Sequence, residues 1–374
     1  MRKKIAKVVL LFFCLIVVGG ELLFRHTIPM EGFIVAKTVG LVGFMEGTNT
    51  DQNVVEEELG FCNPSIWHTG KKVRYEFNRE GYRGPLRPKF PPPGVTRIMC
   101  LGDSITMGQD VELPQTFCAL LPEFLHEQRP AKRFESIDLG RWGASSQQGL
   151  QLLKLRGLDY HPKILVIAFG TNDATDLRYS EFDVPDAQVF GPFQLRWYHH
   201  LGWVRGAHQI WGVTNYYYRR WKMKRTPPVI PETQVAEQGF ERAFAGGATR
   251  VPVDQFRANL AEFCRLCRER RITPVFLNLA DTPAYAQATK AAADDCGAVF
   301  FDGRKAVFDA IPDVAAGRVL PEWRASYQQL LGPEVFRRPG NEYLWVSTDN
   351  SHLNVIGHYL LGRRLAPLIA DSSR

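Results

Sequence analysis

Leu101-Gly102-Asp103-Ser104-Ile105-Thr106-Met107-Gly108 decides how the rest of the chain is read. Ahead of it, Arg97-Ile98-Met99-Cys100-Leu101 is a short apolar run, the pattern of a buried strand. Beyond Gln109 to Pro114, the apolar residues Phe117, Leu120, Leu121, Phe124 and Leu125 recur at helical spacing, with Pro122 interrupting their regularity. A serine between glycines at such a junction sits in a tight turn and faces outward over the end of a sheet. That is a position for a nucleophile. A phosphate-cradling loop closes with Gly-Lys-Ser/Thr, whereas Gly108 is followed by Gln109. The Gly-x-Ser-x-Gly elbow of α/β hydrolases has a different spacing. On this stretch alone an ordinary turn, with Asp103 bonding the local backbone, stays open.

Outward from this loop the chain alternates strand and helix. Strands are predicted at 97–101, 134–139, 163–169, 273–279 and 298–302, and helices at about 115–128, 146–157, 254–270, 283–296 and 354–369. Ile164-Leu165-Val166-Ile167-Ala168-Phe169 is apolar throughout, as a strand covered on both faces is. The pattern predicts an α/β fold with a parallel sheet and helices on both faces. Ligands of such sheets bind beyond the carboxyl ends of the strands. Ser104 falls there after the first strand, Gly140 and Gly143 after the second, and Asn172 after the third.

The 374 residues suffice for one large α/β domain with insertions, or for two small ones. Hydrophobic content of 45% and charged content of 23% are those of a globular chain able to bury a core. The net charge of +7 is spread between Arg2, Lys3, Lys4 and Lys7 and the Arg219 to Arg225 stretch. No module interleaves basic and aromatic residues as nucleic-acid binders do, so no nucleic-acid partner is expected.

The four N-terminal basic residues precede Val8 to Val18, an apolar run followed by no small-x-small cleavage site. Ile5 to Phe24 has about the ~20 residues that cross a bilayer. Residues 1–25 are therefore expected to form an uncleaved signal anchor, a transmembrane helix with the bulk of the chain on the extracytoplasmic side. Residues 26–96, turn-rich around Asn78 to Gly84 and stopped by Pro91-Pro92-Pro93-Gly94, are an extended lead-in expected to pack on the domain of 97–374. Seven cysteines leave six beyond the anchor, some of which an exported domain pairs. Cys264 and Cys267 share a helical pattern with Phe256, Leu260 and Phe263, where they read as small core residues rather than a redox or zinc pair.

Residues 174–250 interrupt the alternation with Trp197, Tyr198, Trp203, Trp211, Tyr216, Tyr217, Tyr218 and Trp221, a basic run, then Pro227, Pro228 and Pro231. Loops longer than ~12–15 residues are usually functional or disordered, and aromatic density argues against disorder. Two readings stand: a lid or glycan-facing wall, and a satellite hydrophobic cluster with a basic outer face near lipid headgroups. His199, His200 and His208 have no carboxylate or cysteine spacing around them, so no metal is expected.

Near the C-terminus Asp349-Asn350-Ser351-His352 leads into a helix. A carboxylate three residues before a histidine orients the ring through one nitrogen and leaves the other to accept a serine proton. The pair is the base and orienter that Ser104 lacks locally, although Asp-x-x-His also caps helices. Donors for an oxyanion are available in the Ser104 and Gly143 backbone N–H groups and the Asn172 side chain.

In these blocks the chain resembles the SGNH hydrolases, also called the GDSL lipase/esterase family, and through its Asn78 to Gly84 lead-in their membrane-anchored members. Gly102-Asp103-Ser104 matches the nucleophile block, Gly143 the glycine block, Gly170-Thr171-Asn172-Asp173 the asparagine block and Asp349-Asn350-Ser351-His352 the last, in order, over about 97–370. The resemblance implies a three-layer α/β/α flavodoxin-like domain that hydrolyses esters. It implies Ser104 as nucleophile, His352 as base, Asp349 as its orienter, and Ser104, Gly143 and Asn172 as the oxyanion hole, with no cofactor. The long aromatic insertion departs from compact members. The expected reaction is removal of O-acyl groups, such as acetyl, from carbohydrate or another small ester in the cell envelope. Acetyl transfer to a sugar hydroxyl in the same site, and a catalytically silent glycan-binding protein, are the alternatives.

Overall fold

A computed structural model describes residues 2–28, 30, 75, 78, 80, 82–109, 111–177, 184–191, 196–225, 248–280, 282–331 and 352–372. Five strands form one sheet: β1 (Val95–Gly102), β2 (Arg133–Asp138), β3 (Ile164–Ala168), β4 (Thr273–Asn278) and β5 (Val299–Asp302). All pairings are parallel, in the order β2-β1-β3-β4-β5. This is the doubly wound flavodoxin-like order, in which the chain reverses direction of growth between β1 and β3.

The strand period of two sorts the side chains to opposite faces. Ile98, Cys100, Ile164, Val166, Val275 and Leu277 point to one side, where α2 (Phe117–Gln128) and α7 (Val355–Ser372) cover them. Met99, Leu101, Leu165, Ile167 and Phe276 point to the other, against α3 (Ser146–Leu155), α5 (Val253–Arg270) and α6 (Pro283–Cys296). Two cores thus flank one sheet. The expected elements form within a few residues of their predicted limits. Shorter helices at Gly303–Asp309, Ile311–Ala315 and Pro321–Leu331, which the apolar spacing did not mark, fill the connection after β5.

The reading of Cys264 needs correction. Cys267 is a buried free cysteine, but Cys264 is bonded to Cys296, which ties α5 to α6 across 32 residues of sequence. The two helices pack side by side, so a Cα–Cα distance of 5.9 Å arises between residues with no shared sequence motif.

The N-terminal segment is a helix, α1 (Arg2–Thr27), on which Leu11, Phe12, Phe13, Leu15 and Ile16 are exposed. Its side chains are described from Leu11 onward. Among the described residues no helix is long and apolar enough to cross a membrane, so a membrane span is not part of what the structure shows. The insertion contains a helix that the aromatic spacing did not reveal, α4 (Gly202–Arg225). The N–H groups of Gly202 and Trp203 donate to the Glu21 carboxylate at 2.9 and 3.1 Å, the Trp203 indole donates to the Val17 carbonyl at 2.7 Å, and Phe24 meets the Trp203 ring edge-on. Insertion and N-terminal helix therefore pack together.

Candidate active site

Ser104 follows β1 after one residue, Asp103, and opens a one-turn helix, Ser104–Met107. Asp103 caps that turn, its Oδ1 accepting from the Ile105 N–H at 2.9 Å, and Gly108 ends it in the left-handed region. The turn is held from below by Arg83, whose backbone bridges to Asp138. Its buried guanidinium donates to the carbonyls of Met107 at 2.8 Å, Gly108 at 3.0 Å and Val111 at 2.7 Å. Sequence reasoning missed the role of this residue; its one signal is an arginine between Tyr82 and Gly84 in the turn-rich lead-in.

His352, 248 residues away, reaches Ser104: Ser104 Oγ and His352 Nε2 lie 2.8 Å apart. The histidine is positioned by the start of α7, where the buried Asn354 side chain accepts from the Gly357 N–H at 3.1 Å. Asp349, expected to orient the imidazole, lies outside the described residues.

Asn172 stands on the loop after β3, beside β1 at the reversal of strand order. Its Nδ2 donates to Asp103 Oδ2 at 3.2 Å, which places the amide next to the residue preceding Ser104. Burial pushes the Asp103 carboxyl up to about 6, against the Ile105 N–H and the nearby His352, which favour the charged form. Asp173, the next residue, is fully buried and gathers two loops. It accepts from the Ser146 backbone and hydroxyl at the start of α3, and from the Gly170 N–H at 3.1 Å. Burial raises its carboxyl to about 7, partly offset by the bonds from Ser146.

The glycine block separates its two glycines by geometry. Gly140 donates its N–H to Asp138 Oδ1 at 2.8 Å, and a Cβ there would lie 2.2 Å from the Met107 nitrogen. Its N–H is committed and its Cα is wedged against the nucleophile turn. Gly143 is exposed, has φ +63°, and a Cβ there would meet nothing within 4 Å. Of the two, Gly143 is the exposed one.

Ser104, His352 and Asn172 are thus brought to the carboxyl ends of β1 and β3, with Gly143 on the loop after the adjoining β2. A hydroxyl 2.8 Å from an imidazole nitrogen can lose its proton as it attacks an electrophilic carbon. The amide and backbone N–H groups can hydrogen-bond an oxyanion.

Residues 100–360 match the GDSL-like Lipase/Acylhydrolase family. The chain belongs to that family, and it is an ester-hydrolysing enzyme. No curated protein matches the chain. Solved structures similar to it include a lipase/acylhydrolase from Enterococcus faecalis, 14% identical over 74% of this chain and 96% of that one with a TM-score of 0.40. An alpha/beta hydrolase enzyme from the metagenome of Lake Arreo is 13% identical over 74% of this chain and 95% of that one, TM-score 0.40. A variant of an acetylxylan esterase from Geobacillus stearothermophilus is 14% identical over 73% and 94%, TM-score 0.38. Likenesses this distant say nothing of substrate.

Proposed function

We propose that the chain hydrolyses an ester through an acyl-Ser104 intermediate, acting on O-acyl groups such as acetyl on carbohydrate, or on another small ester, in the cell envelope. The observation that carries the reading is the 2.8 Å approach of Ser104 Oγ to His352 Nε2. Ser104 Oγ attacks the carbonyl carbon while His352 Nε2 takes its proton. The carbonyl oxygen becomes an oxyanion held by the Ser104 and Gly143 N–H groups and the Asn172 amide. His352 returns the proton to the leaving alcohol, and water, deprotonated by the same histidine, releases the acid. Asp349 is assigned to hold the imidazole through Nδ1. The exposed rings of Trp197 and Trp211 in the insertion favour a carbohydrate, since flat aromatic faces suit sugar faces.

In the same reading α1 anchors the chain in a membrane and the domain lies on the extracytoplasmic side. Two features favour it. The exposed apolar residues of α1 follow a basic start, and the Cys264–Cys296 disulfide belongs in an oxidising compartment.

The test is fluorophosphonate labelling of the full chain beside Ser104→Ala and His352→Ala. Labelling that disappears in both variants is the expected result. Labelling that survives Ser104→Ala, or none in the folded wild-type protein, overturns the assignment.

A further inference from the structure

The insertion after Asn172 leaves the domain and returns to it through a closed neck. The Arg250 N–H donates to the Thr175 carbonyl at 2.8 Å, the Val251 N–H to Asp173 at 3.1 Å, and the Leu177 N–H to Ala248 at 2.8 Å. The neck therefore begins one residue from Asn172. From it, the Arg250 side chain crosses to the glycine block and donates from Nη1 to the Gly143 carbonyl at 2.7 Å.

Gly143 sits in a turn closed by the Ala144 N–H donating to the Arg141 carbonyl at 3.3 Å, and Arg250 adds a second restraint on it. With φ +63° and nothing within 4 Å of where a Cβ would stand, side-chain packing does not select its conformation. Glycine also visits many other backbone conformations at little cost. A hydrogen bond from a fixed donor does select it. Arg250 is fixed: it pairs with Asp186 through Nη2 at 2.9 Å and Nε at 3.4 Å, and Nη2 also donates to Gln148 Oε1 at 3.0 Å. The Asp186 side chain is 2% exposed and that of Arg250 11%, so the pair is little screened by solvent. A forked, charge-assisted pair of this kind fixes direction as well as distance. Gln148 in turn accepts from the Ser145 N–H at 3.1 Å, which ties the clamp to the cap of α3.

We infer that Arg250 is a positioning residue that holds Gly143 in its oxyanion-binding conformation and so couples the insertion to catalysis. This rests on the proposed acyl-serine reading and assigns the insertion's return a part in it. Arg250 itself does not touch substrate. Its loss is felt where negative charge develops on the carbonyl oxygen, and not where the ground-state ester binds.

The experiment compares the full-length wild type, Arg250→Ala, Arg250→Lys and Asp186→Asn on p-nitrophenyl acetate, with turnover normalised to active sites. A small boronic acid, which forms a tetrahedral adduct on serine, is the second probe. Loss of a direct oxyanion donor costs about 10²–10³-fold, so loss of its support is expected to lower kcat about 10–100-fold. KM should change little, and boronate affinity should weaken in parallel with kcat. Arg250→Lys, which keeps one donor, should recover part of the loss. Asp186→Asn, which loosens the arginine without removing it, should give a smaller fall of the same kind. If Arg250→Ala does not fold, the lysine and Asp186→Asn variants decide on the same readouts. The inference is overturned by a kcat per active site within twofold of wild type, or by a loss confined to KM. An active Ser104→Ala enzyme would instead sink the acyl-serine reading, which separates the two failures.

Discussion

Asp103 accepts a hydrogen bond from the Asn172 amide at 3.2 Å, and through it the loop after β3 is tied to the turn that carries Ser104. The same carboxylate caps that turn with its other oxygen. Asn172→Ala is expected to lower acylation by roughly 10²–10³-fold, the effect of one lost oxyanion donor. Asp103→Ala removes the amide's acceptor but not the amide, and should cost less. The double variant should lose less than the product of the two single losses, since both changes act on one contact. Pre-steady-state acylation rates of the three variants measure this, and simple multiplication of the losses would refute the coupling.

Arg83 donates to three main-chain carbonyls beneath the nucleophile turn and lies 4.6 Å from the Tyr75 ring centroid. Removing it strands buried acceptors, each worth about 1–3 kcal/mol when left without a donor. Arg83→Met is therefore expected to reduce stability by at least about 2 kcal/mol in urea unfolding. A midpoint unchanged from wild type would show that the three bonds are replaced by others.

His358 is fully buried on α7, its Nδ1 accepting from the Phe117 N–H at 3.2 Å. Burial, with Arg83 and His352 nearby, pushes the imidazole down to about 3. An unfolded histidine titrates near 6.5. Between about pH 6.5 and 3 the unfolded chain therefore binds a proton that the folded one refuses, and this histidine removes stability as pH falls through that window. The limiting slope is about 1.4 kcal/mol per pH unit. His358→Gln keeps an acceptor for Phe117 but cannot take up the proton, so its stability should fall less steeply between pH 6 and pH 4. Parallel curves for the two proteins would show that the imidazole does not carry the effect.

The Cys264–Cys296 bond closes a loop of 32 residues on the side of the sheet away from α7 and His352. Chain entropy assigns such a loop about 3–4 kcal/mol. Cys264→Ser with Cys296→Ser is expected to lower the unfolding free energy by about that amount while leaving kcat at 25 °C unchanged. A large fall in kcat in the folded variant would mean that the α5–α6 pair supports the site.

The strands were legible because each is an apolar run between turn formers, and β3, buried along its whole length, was the plainest. Ser104 and His352 were legible because each stands in a short local pattern, although their meeting spans most of the chain. What escaped the sequence depends on partners far apart. Arg250 reads as a solvated cation until the fold brings Gly143, 107 residues earlier, against it. Arg83 lies in a segment whose periodicity is weak, and its three acceptors are main-chain groups that no side-chain pattern announces. Cys296 carries no motif linking it to Cys264. The helix of the insertion was hidden because many of its apolar residues are aromatic, and Ile210, Trp211, Tyr218 and Trp221 stand exposed.

The bridge between Arg83 and Asp138 has a consequence for where the folding unit can be cut. Among the described residues β2 is an outermost strand, and an outer strand is a place where N–H and C=O groups can meet a neighbour. At the carboxyl end of that strand the lead-in occupies one such position. A chain shortened to the family match, which begins at residue 100, would start inside β1 and leave that border open. Such a chain is expected to self-associate through β2.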